Sequence, residues 1–516
     1  MGNSRTGKPQ PWDWMRSEFP EAAARLDGLW ARGELTDVDV ARILTVAQHA
    51  SSGIDISAAL ASHGAAAVPH SSEQRDLPAR LSAHNLLYGQ VRLGRIIPDS
   101  RSDLILHGDF GVDLDVLRTS MLVIGPPGSG KTRGIALPIV EHLSLEALAG
   151  KASVVAIDPK GDDFARAGWF DVTIDPLNPT HGFSLYGGAT EADMAADRLA
   201  SALLPSKVTD DKAYFMDASK NALYACLAPF RAAHERWPTI RELLNLMRCD
   251  QAEHDRVRSR LAGPHAKDLK RLLQTRAAQA NVRVDPAASL LERLTLLDRP
   301  ALIRLFDHPE PFEMREINKP VRVRVVLPEA EFPDASSILA RLVVSQFVQV
   351  TSSATTNRRI FKALVMDEAG RFVDDYIARG IQRVRSNNAG MILLSQTLGD
   401  FPQEILPVIF GSTGCKAVFS GIYPQDAKQF SDWFGDHYVR QVTVTRGTNQ
   451  AEHFNERGES SGGNRGESAS TSIRHIERAR WSVSDIITDI PYGACLATLT
   501  RSNGKRVGPL VVDLRT

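Results

Sequence analysis

Gly125, Pro126, Pro127, Gly128, Ser129, Gly130, Lys131 and Thr132 follow the apolar run MLVI and precede an apolar-patterned segment. In that setting the glycines let successive backbone N–H groups turn inward and cradle a β-phosphate at the start of a helix. Lys131 is then placed to reach the β- and γ-phosphates, and Thr132 to offer its hydroxyl to Mg²⁺, with Arg133 next in the same nucleotide-binding set. Pro138 is expected to bend the helix about two turns in. A phosphate loop also needs an acid to organise the metal, and KALVMDEAGRF delivers Asp367 and Glu368 at the end of a second apolar run. Asp367 is expected to hold Mg²⁺ through water, and Glu368 to polarise the attacking water as general base. Gln396 closes GMILLSQ, where a polar side chain can feel a γ-phosphate or merely cap a turn. The run ending IDPKGDDF brings Asp158 and Lys160 to the same edge. They either line the nucleotide pocket or form a turn with Pro159 and Gly161, and the sequence leaves both readings open.

The elements that must position these groups are short runs rich in Val, Ile and Leu, starting near residues 121, 153, 362 and 390. Runs of this kind suit parallel strands buried on both faces, so the fold class expected is α/β. VRVRVVLP near 321, ACLATLT and RVGPLVVDL should complete the sheet. The stretch 189–315 lacks strand pattern, but FMDASKNALYACLAPFRAA, TIRELLNLMR and ASLLERLTLLD are amphipathic, which predicts a separate all-helical domain. The nucleotide-binding domain is thereby split into 104–188 and 316–516. A small helical region over 1–62 and a linker over 63–103 precede it. Residues 446–472, polar and rich in Gly and Ser, are expected to be a mobile loop.

Among 516 residues, 43% are hydrophobic and 24% charged, and 61 Lys plus Arg balance 61 Asp plus Glu. With no net field to steer a polyanion, any nucleic-acid contact has to come from a local patch. The richest in basic residues is His254 to Arg283, which reads either as a DNA contact or as a solvated helix face. Four cysteines without a CxxC pair suggest neither a zinc site nor a disulfide framework, and fit a reducing cytoplasm. No stretch approaches the roughly 18 apolar residues of a membrane helix. The expected location is cytoplasmic or peripheral at the inner face of the cell membrane.

Taken in order, GPPGSGKT, AIDPKGDDF, a helical insertion, VMDEAGRF and ILLSQTLGDF resemble the conjugative coupling ATPases of type IV secretion systems, the TraG/TraD-like family related to the FtsK and HerA motors. The likeness spans roughly Leu104 to Asp513. It implies a RecA-like P-loop NTPase domain with an inserted all-helical domain, using ATP and Mg²⁺, and a homo-hexameric ring with nucleotide at subunit interfaces. It further implies DNA, a relaxase and channel proteins as partners, and a trans-acting arginine, for which IQRVRSNNAG offers Arg385, or Arg383. Members usually begin with transmembrane helices, and none is legible here, so the expectation is either a soluble coupling protein recruited to the channel by a partner or a motor reused elsewhere. The function implied is delivery of DNA or a relaxase–DNA complex to the secretion channel. The alternatives are a HerA- or FtsK-like motor in DNA processing or phage defence, and a nucleotide-gated adaptor that recruits protein effectors.

Overall fold

The computed structural model describes residues 84–85, 89–102, 108–165, 169–204, 210–373, 375–454, 460–501 and 503–515, with a few single positions before residue 84. Apart from those single positions, the expected helical region over 1–62, and the linker as far as residue 83, lie outside the described residues.

The strands are β1 (His84–Asn85), β2 (Gln90–Ile97), β3 (Gly108–Asp113), β4 (Met121–Ile124), β5 (Ala152–Asp158), β6 (Val172–Ile174), β7 (Gly182–Phe183), β8 (Pro311–Phe312), β9 (Arg322–Val326), β10 (Phe361–Met366), β11 (Ala389–Ser395), β12 (Cys415–Phe419), β13 (Asp436–Phe454), β14 (Ser460–Ala479), β15 (Ala494–Thr500) and β16 (Arg506–Asp513). Twelve of them form one sheet, in the order β1-β2-β16-β15-β12-β4-β11-β10-β5-β9-β6 with β3 paired to β2. From β12 to β6 every neighbour is parallel. Beyond β12 the pairings turn antiparallel.

Every residue of β4, β5, β10 and β11 is buried, which is why their sequences read as unbroken apolar runs. Successive side chains of a strand point to opposite faces, so each strand feeds two cores. Met121, Val123, Val154, Ala363, Val365 and Ile392 join one, together with Ile139, Val140 and Leu143 of α1 (Leu137–Leu148). Leu122, Ile124, Val155, Leu364, Met366 and Leu393 join the other.

Between β7 and β8 the described residues hold seven helices: α2 (Ala192–Leu203), α3 (Asp210–His234), α4 (Ile240–Met247), α5 (Gln251–Arg260), α6 (Ala266–Ala280), α7 (Ala288–Thr295) and α8 (Pro300–Phe306). The chain leaves and returns at one place, because β7 and β8 pair with each other, Gly182 opposite Pro311. Local signals fix the helix ends: the Thr239 side chain accepts from Glu242 N–H at 3.3 Å while Glu242 accepts from Thr239 N–H at 2.9 Å, a capping box that starts α4. The second core is completed by α9 (Pro333–Ser352), α10 (Asp375–Val384), α11 (Leu406–Ser412), α12 (Pro424–Phe434) and α13 (Val483–Thr488).

Two expectations are corrected. Residues 446–472 are expected as a mobile loop, but of these 446–454 lie in β13 and 460–472 in β14, antiparallel strands paired from Asp436–Ala479 to Phe454–Ser460. Backbone ladder bonds, rather than apolar burial, organise it: Thr443 to Thr448 and Glu467 to Ser472 are exposed. Likewise the linker expected over 63–103 contains β2, which enters the main sheet against β16 and β3, with Val91 and Leu93 in the core. Among the described residues, no helix is long and apolar enough to cross a membrane.

Candidate active site

The parallel strands deliver their C-terminal ends to one edge, where ligands bind in open α/β sheets. From β4 the chain enters the phosphate loop. Gly128 and Gly130 have φ of 73° and 98°, and a Cβ at either would meet nothing within 4 Å, so the loop curls around open space. Ser129 Oγ is buried there without a hydrogen-bond partner among the described residues. The loop is pinned to β11 by Gly125 N–H donating to Ser395 O at 3.3 Å.

After the loop the helix does not start as a regular α-helix. Thr132–Ala136 is wound as a π-turn, with Leu137 N–H donating to Thr132 O five residues back. Pro138, expected to bend the helix from within, instead falls in the first turn of α1 immediately after that π-turn. There its missing N–H is tolerated.

Lys131 is 8% exposed and donates to Gly125 O at 2.6 Å and Pro126 O at 3.1 Å. Burial pushes its pKa down, with Asp367 acting in the opposite direction. Thr132 Oγ1 donates to Asp367 Oδ2 at 2.8 Å, which joins two groups 235 residues apart in sequence. Asp367 Oδ1 accepts from Glu368 N–H at 2.9 Å, so the carboxylate is held on both sides. Glu368 has φ 50° and ψ 39°, a left-handed conformation that costs a non-glycine residue roughly 1–3 kcal/mol and clusters at functional sites. Its carboxylate lies 3.2 Å from Arg371, 4.0 Å from Lys160 and 3.4 Å from Gln396 Nε2. Lys160 also faces Asp163 at 3.6 Å; burial lowers its pKa, but Asp163, Asp367 and Glu368 outweigh that and raise it. Gly370 belongs to this turn for steric reasons, since a Cβ there would come 2.3 Å from Cβ of Asp400.

The structure thus brings together Gly125 to Thr132, Asp367, Glu368 and Gln396, with Arg133 exposed on the π-turn. Asp158 is different. Its fully buried carboxylate accepts from Gly161 N–H at 2.9 Å, Phe164 N–H at 3.1 Å and Arg324 Nη2 at 3.1 Å. Of its two readings, the turn is the one its bonds match, and Lys160 is the group of that pair that reaches the acids. Arg385 stands before the first residue of β11, at the N-terminal ends of the parallel strands. The seven residues of β11, at about 3.3 Å each, put it on the order of 20 Å from the phosphate edge of its own chain. Arg371, Ser395 and Asp400 were given no role from sequence. Arg371 stood inside DEAGR, but its bond to Glu329 at 2.9 Å needs the fold to be seen.

The basic stretch His254 to Arg283 is partly internal. Arg276 is fully buried, donating to Met247 O at 2.6 Å and to Asp285 at 2.6 and 3.0 Å. His254 is buried against Leu246 O at 3.0 Å, and Arg256 pairs with Glu253. Arg260, Lys267, Arg271 and Arg283 remain exposed.

A loop around open space, a lysine, a threonine joined to an acid and a neighbouring glutamate fit a nucleoside triphosphate with Mg²⁺. Thr132 and Asp367 would hold the metal, which supplies charge neutralisation across the phosphates.

A search of curated proteins finds no match. Among solved structures, the bacterial conjugative coupling protein TrwBΔN70 is similar with a TM-score of 0.54 at 16% identity, over 78% of this chain and 86% of that one. The plasmid coupling protein TrwB in complex with ADP and Mg²⁺ gives 0.53 at 18% identity, over the same shares. These likenesses carry the fold. The family model for the type IV secretion-system coupling protein DNA-binding domain matches residues 106–465. The chain therefore belongs to the type IV secretion-system coupling protein family.

Proposed function

We propose that the chain is an ATP-driven coupling protein that delivers DNA, or a relaxase–DNA complex, to a type IV secretion channel. The observation that carries the reading is the 2.8 Å bond between Thr132 and Asp367, with Glu368 next in sequence. It makes one cleft of the phosphate loop and the acidic strand end. In that cleft Lys131 leaves its loop carbonyls to bind the β- and γ-phosphates, and Thr132 and Asp367 hold Mg²⁺. Glu368 takes the proton of the attacking water, and Gln396, bonded to Glu368, couples the γ-phosphate to β11. Arg385 stabilises charge on the transferring phosphate of a neighbouring subunit. Its distance from its own phosphate edge supports a role in trans, and a homo-hexameric ring supplies the neighbour. The exposed Arg260, Lys267, Arg271 and Arg283 supply sequence-independent phosphate contacts to DNA. A channel partner recruits the motor to the inner face of the membrane.

The test is ATP binding and turnover by the full chain, with and without DNA. Lys131→Ala is expected to abolish nucleotide binding. Glu368→Gln should bind ATP as tightly as the wild type while losing roughly 10²- to 10⁴-fold in turnover, the usual weight of a general base. Normal hydrolysis by the glutamine variant would remove Glu368 from that role. A slow ATPase that ignores DNA would favour an adaptor over a motor.

A further inference from the structure

The phosphate loop divides the sheet edge. On one side β11 and then β10 bring Gln396, Asp367 and Glu368; on the other lie β12, β15 and β16. A triphosphate held by Lys131 and Thr132 with its γ-phosphate toward the acids would direct its sugar and base over β12, β15 and β16.

Three chain segments meet there. The end of β12 abuts the loop so closely that a Cβ on Gly125 would lie 2.8 Å from Phe419 Cβ, and one on Gly421 would lie 3.6 Å from Pro126 Cγ. Tyr423 follows two residues later, 58% exposed, where it opens α12. Because β15 runs antiparallel with Cys495 opposite Phe419, the residues before β15 return to the same edge. Tyr492 is among them, 78% exposed. The adjoining Gly493 O accepts from Leu514 N–H at 3.0 Å, and Leu514 lies against the π-turn, where a Cβ on Gly134 would come 3.0 Å from its own Cβ. Gly421 N–H donates to Ile487 O at 3.1 Å, tying the Tyr423 loop to α13. Both tyrosines therefore sit on loops fastened to the phosphate loop or its helix, on the side away from the acids. A single exposed aromatic residue is ordinary, but two at the edge where a base must emerge are placed for stacking.

We propose that Tyr423 and Tyr492 form the stacking platform for the purine base of the nucleotide. The proposal rests on the ATP-site reading above. Ring faces bind any purine by stacking, so the platform favours a nucleotide over bare triphosphate and discriminates little between ATP and GTP.

The experiment is equilibrium binding to the full chain with Mg²⁺, using ATP, GTP and inorganic tripolyphosphate. Tyr423→Ala and Tyr492→Ala should each weaken ATP and GTP by about tenfold and leave tripolyphosphate within about twofold. Tyr423→Phe should keep wild-type affinity. Unchanged ATP affinity in both alanine variants would overturn the platform. So would equal weakening of ATP and tripolyphosphate, which would mean the loops shape the phosphate loop and do not touch the base. A wild-type chain that binds neither ATP nor tripolyphosphate would instead defeat the ATP-site reading, and the platform with it.

Discussion

Glu368 is the side chain to which the proposed function gives the attacking water, and its surroundings are those of a group held in place. Arg371 reaches it at 3.2 Å and is itself tied to Glu329 at 2.9 Å. Arg371 is 53% exposed, so its Coulomb attraction is screened, and its main contribution is orientation. Arg371→Ala is expected to lower kcat about tenfold with KM for ATP unchanged, short of the ~10²-fold that a 1 Å misplacement can cost. Arg371→Lys should recover part of the loss, since the charge stays but the fork to two carboxylates does not. Steady-state kinetics decide this; an unchanged kcat in the alanine variant would show that Glu368 needs no such support. At this scale the sequence was informative about groups whose chemistry is local. GxxxxGKT and the adjacent Asp367–Glu368 pair could be picked out by spacing and taken together, and the fold joins them through Thr132 and Asp367. The role of Asp158 was not legible in this way, because Arg324, the cation that engages its carboxylate, lies 166 residues away in the chain.

At the scale of the element, α1 carries a cluster that no motif announced. His142 and Glu146 are fully buried, with His142 Nε2 and Glu146 Oε1 at 3.7 Å, and neither oxygen of Glu146 accepts a hydrogen bond among the described residues. His84 of β1 stacks on His142 at 5.5 Å and faces Glu141 at 3.4 Å, and Lys151 adds a positive field. Burial raises Glu146 from its ordinary 4.5 to about 8. Burial, then His84, lowers His142 from 6.5 to about 3. Glu146 therefore gives its full share of stability below pH 4.5 and loses it as pH rises toward 8. His142 gives its full share above 6.5 and loses it as pH falls toward 3. Between 4.5 and 6.5 the two slopes oppose, so the wild type should lose stability above pH 6.5, by at most about 2 kcal/mol at pH 8. Glu146→Gln should flatten that decline, as measured by Tm at pH 6.5 and 8; parallel declines in both proteins would refute the assignment. The same scale shows what patterning conveyed. Strands buried on both faces announce themselves as apolar runs, which is why β4, β5, β10 and β11 were legible. The strands β13 and β14 were not, because Thr443 to Thr448 and Glu467 to Ser472 are exposed and the order there lies in backbone pairing. Cutting 442–473 and joining Gln441 to Arg474 through Asn-Gly keeps the pairing of those two residues. That excision should leave Tm within a few degrees, since Thr443 to Thr448 and Glu467 to Ser472 are exposed; a large fall would show that the hairpin supports the domain.

For the whole molecule, the sheet separates the phosphate loop from Arg385 by the length of a strand. The phosphate loop and the acids occupy the C-terminal ends of the parallel strands, while Arg385 precedes β11 at the opposite end. A strand is too long for one chain to join them, so if Arg385 acts on a phosphate it acts on that of another chain. This gives a prediction that a single subunit cannot satisfy. Arg385→Ala alone should lose roughly 10³-fold or more in turnover, as expected for an arginine that stabilises phosphoryl transfer, while binding ATP normally. Lys131→Ala should be inactive because it binds no nucleotide. Mixed in equal amounts, the two variants create interfaces in which an intact phosphate loop from the Arg385→Ala chain meets an intact Arg385 from the Lys131→Ala chain. ATPase activity should therefore reappear as a function of mixing ratio, peak near parity, and vanish when either variant is alone. Absence of rescue at every ratio, in preparations shown by mass to contain mixed rings, would remove Arg385 from the trans role and leave that charge to another residue.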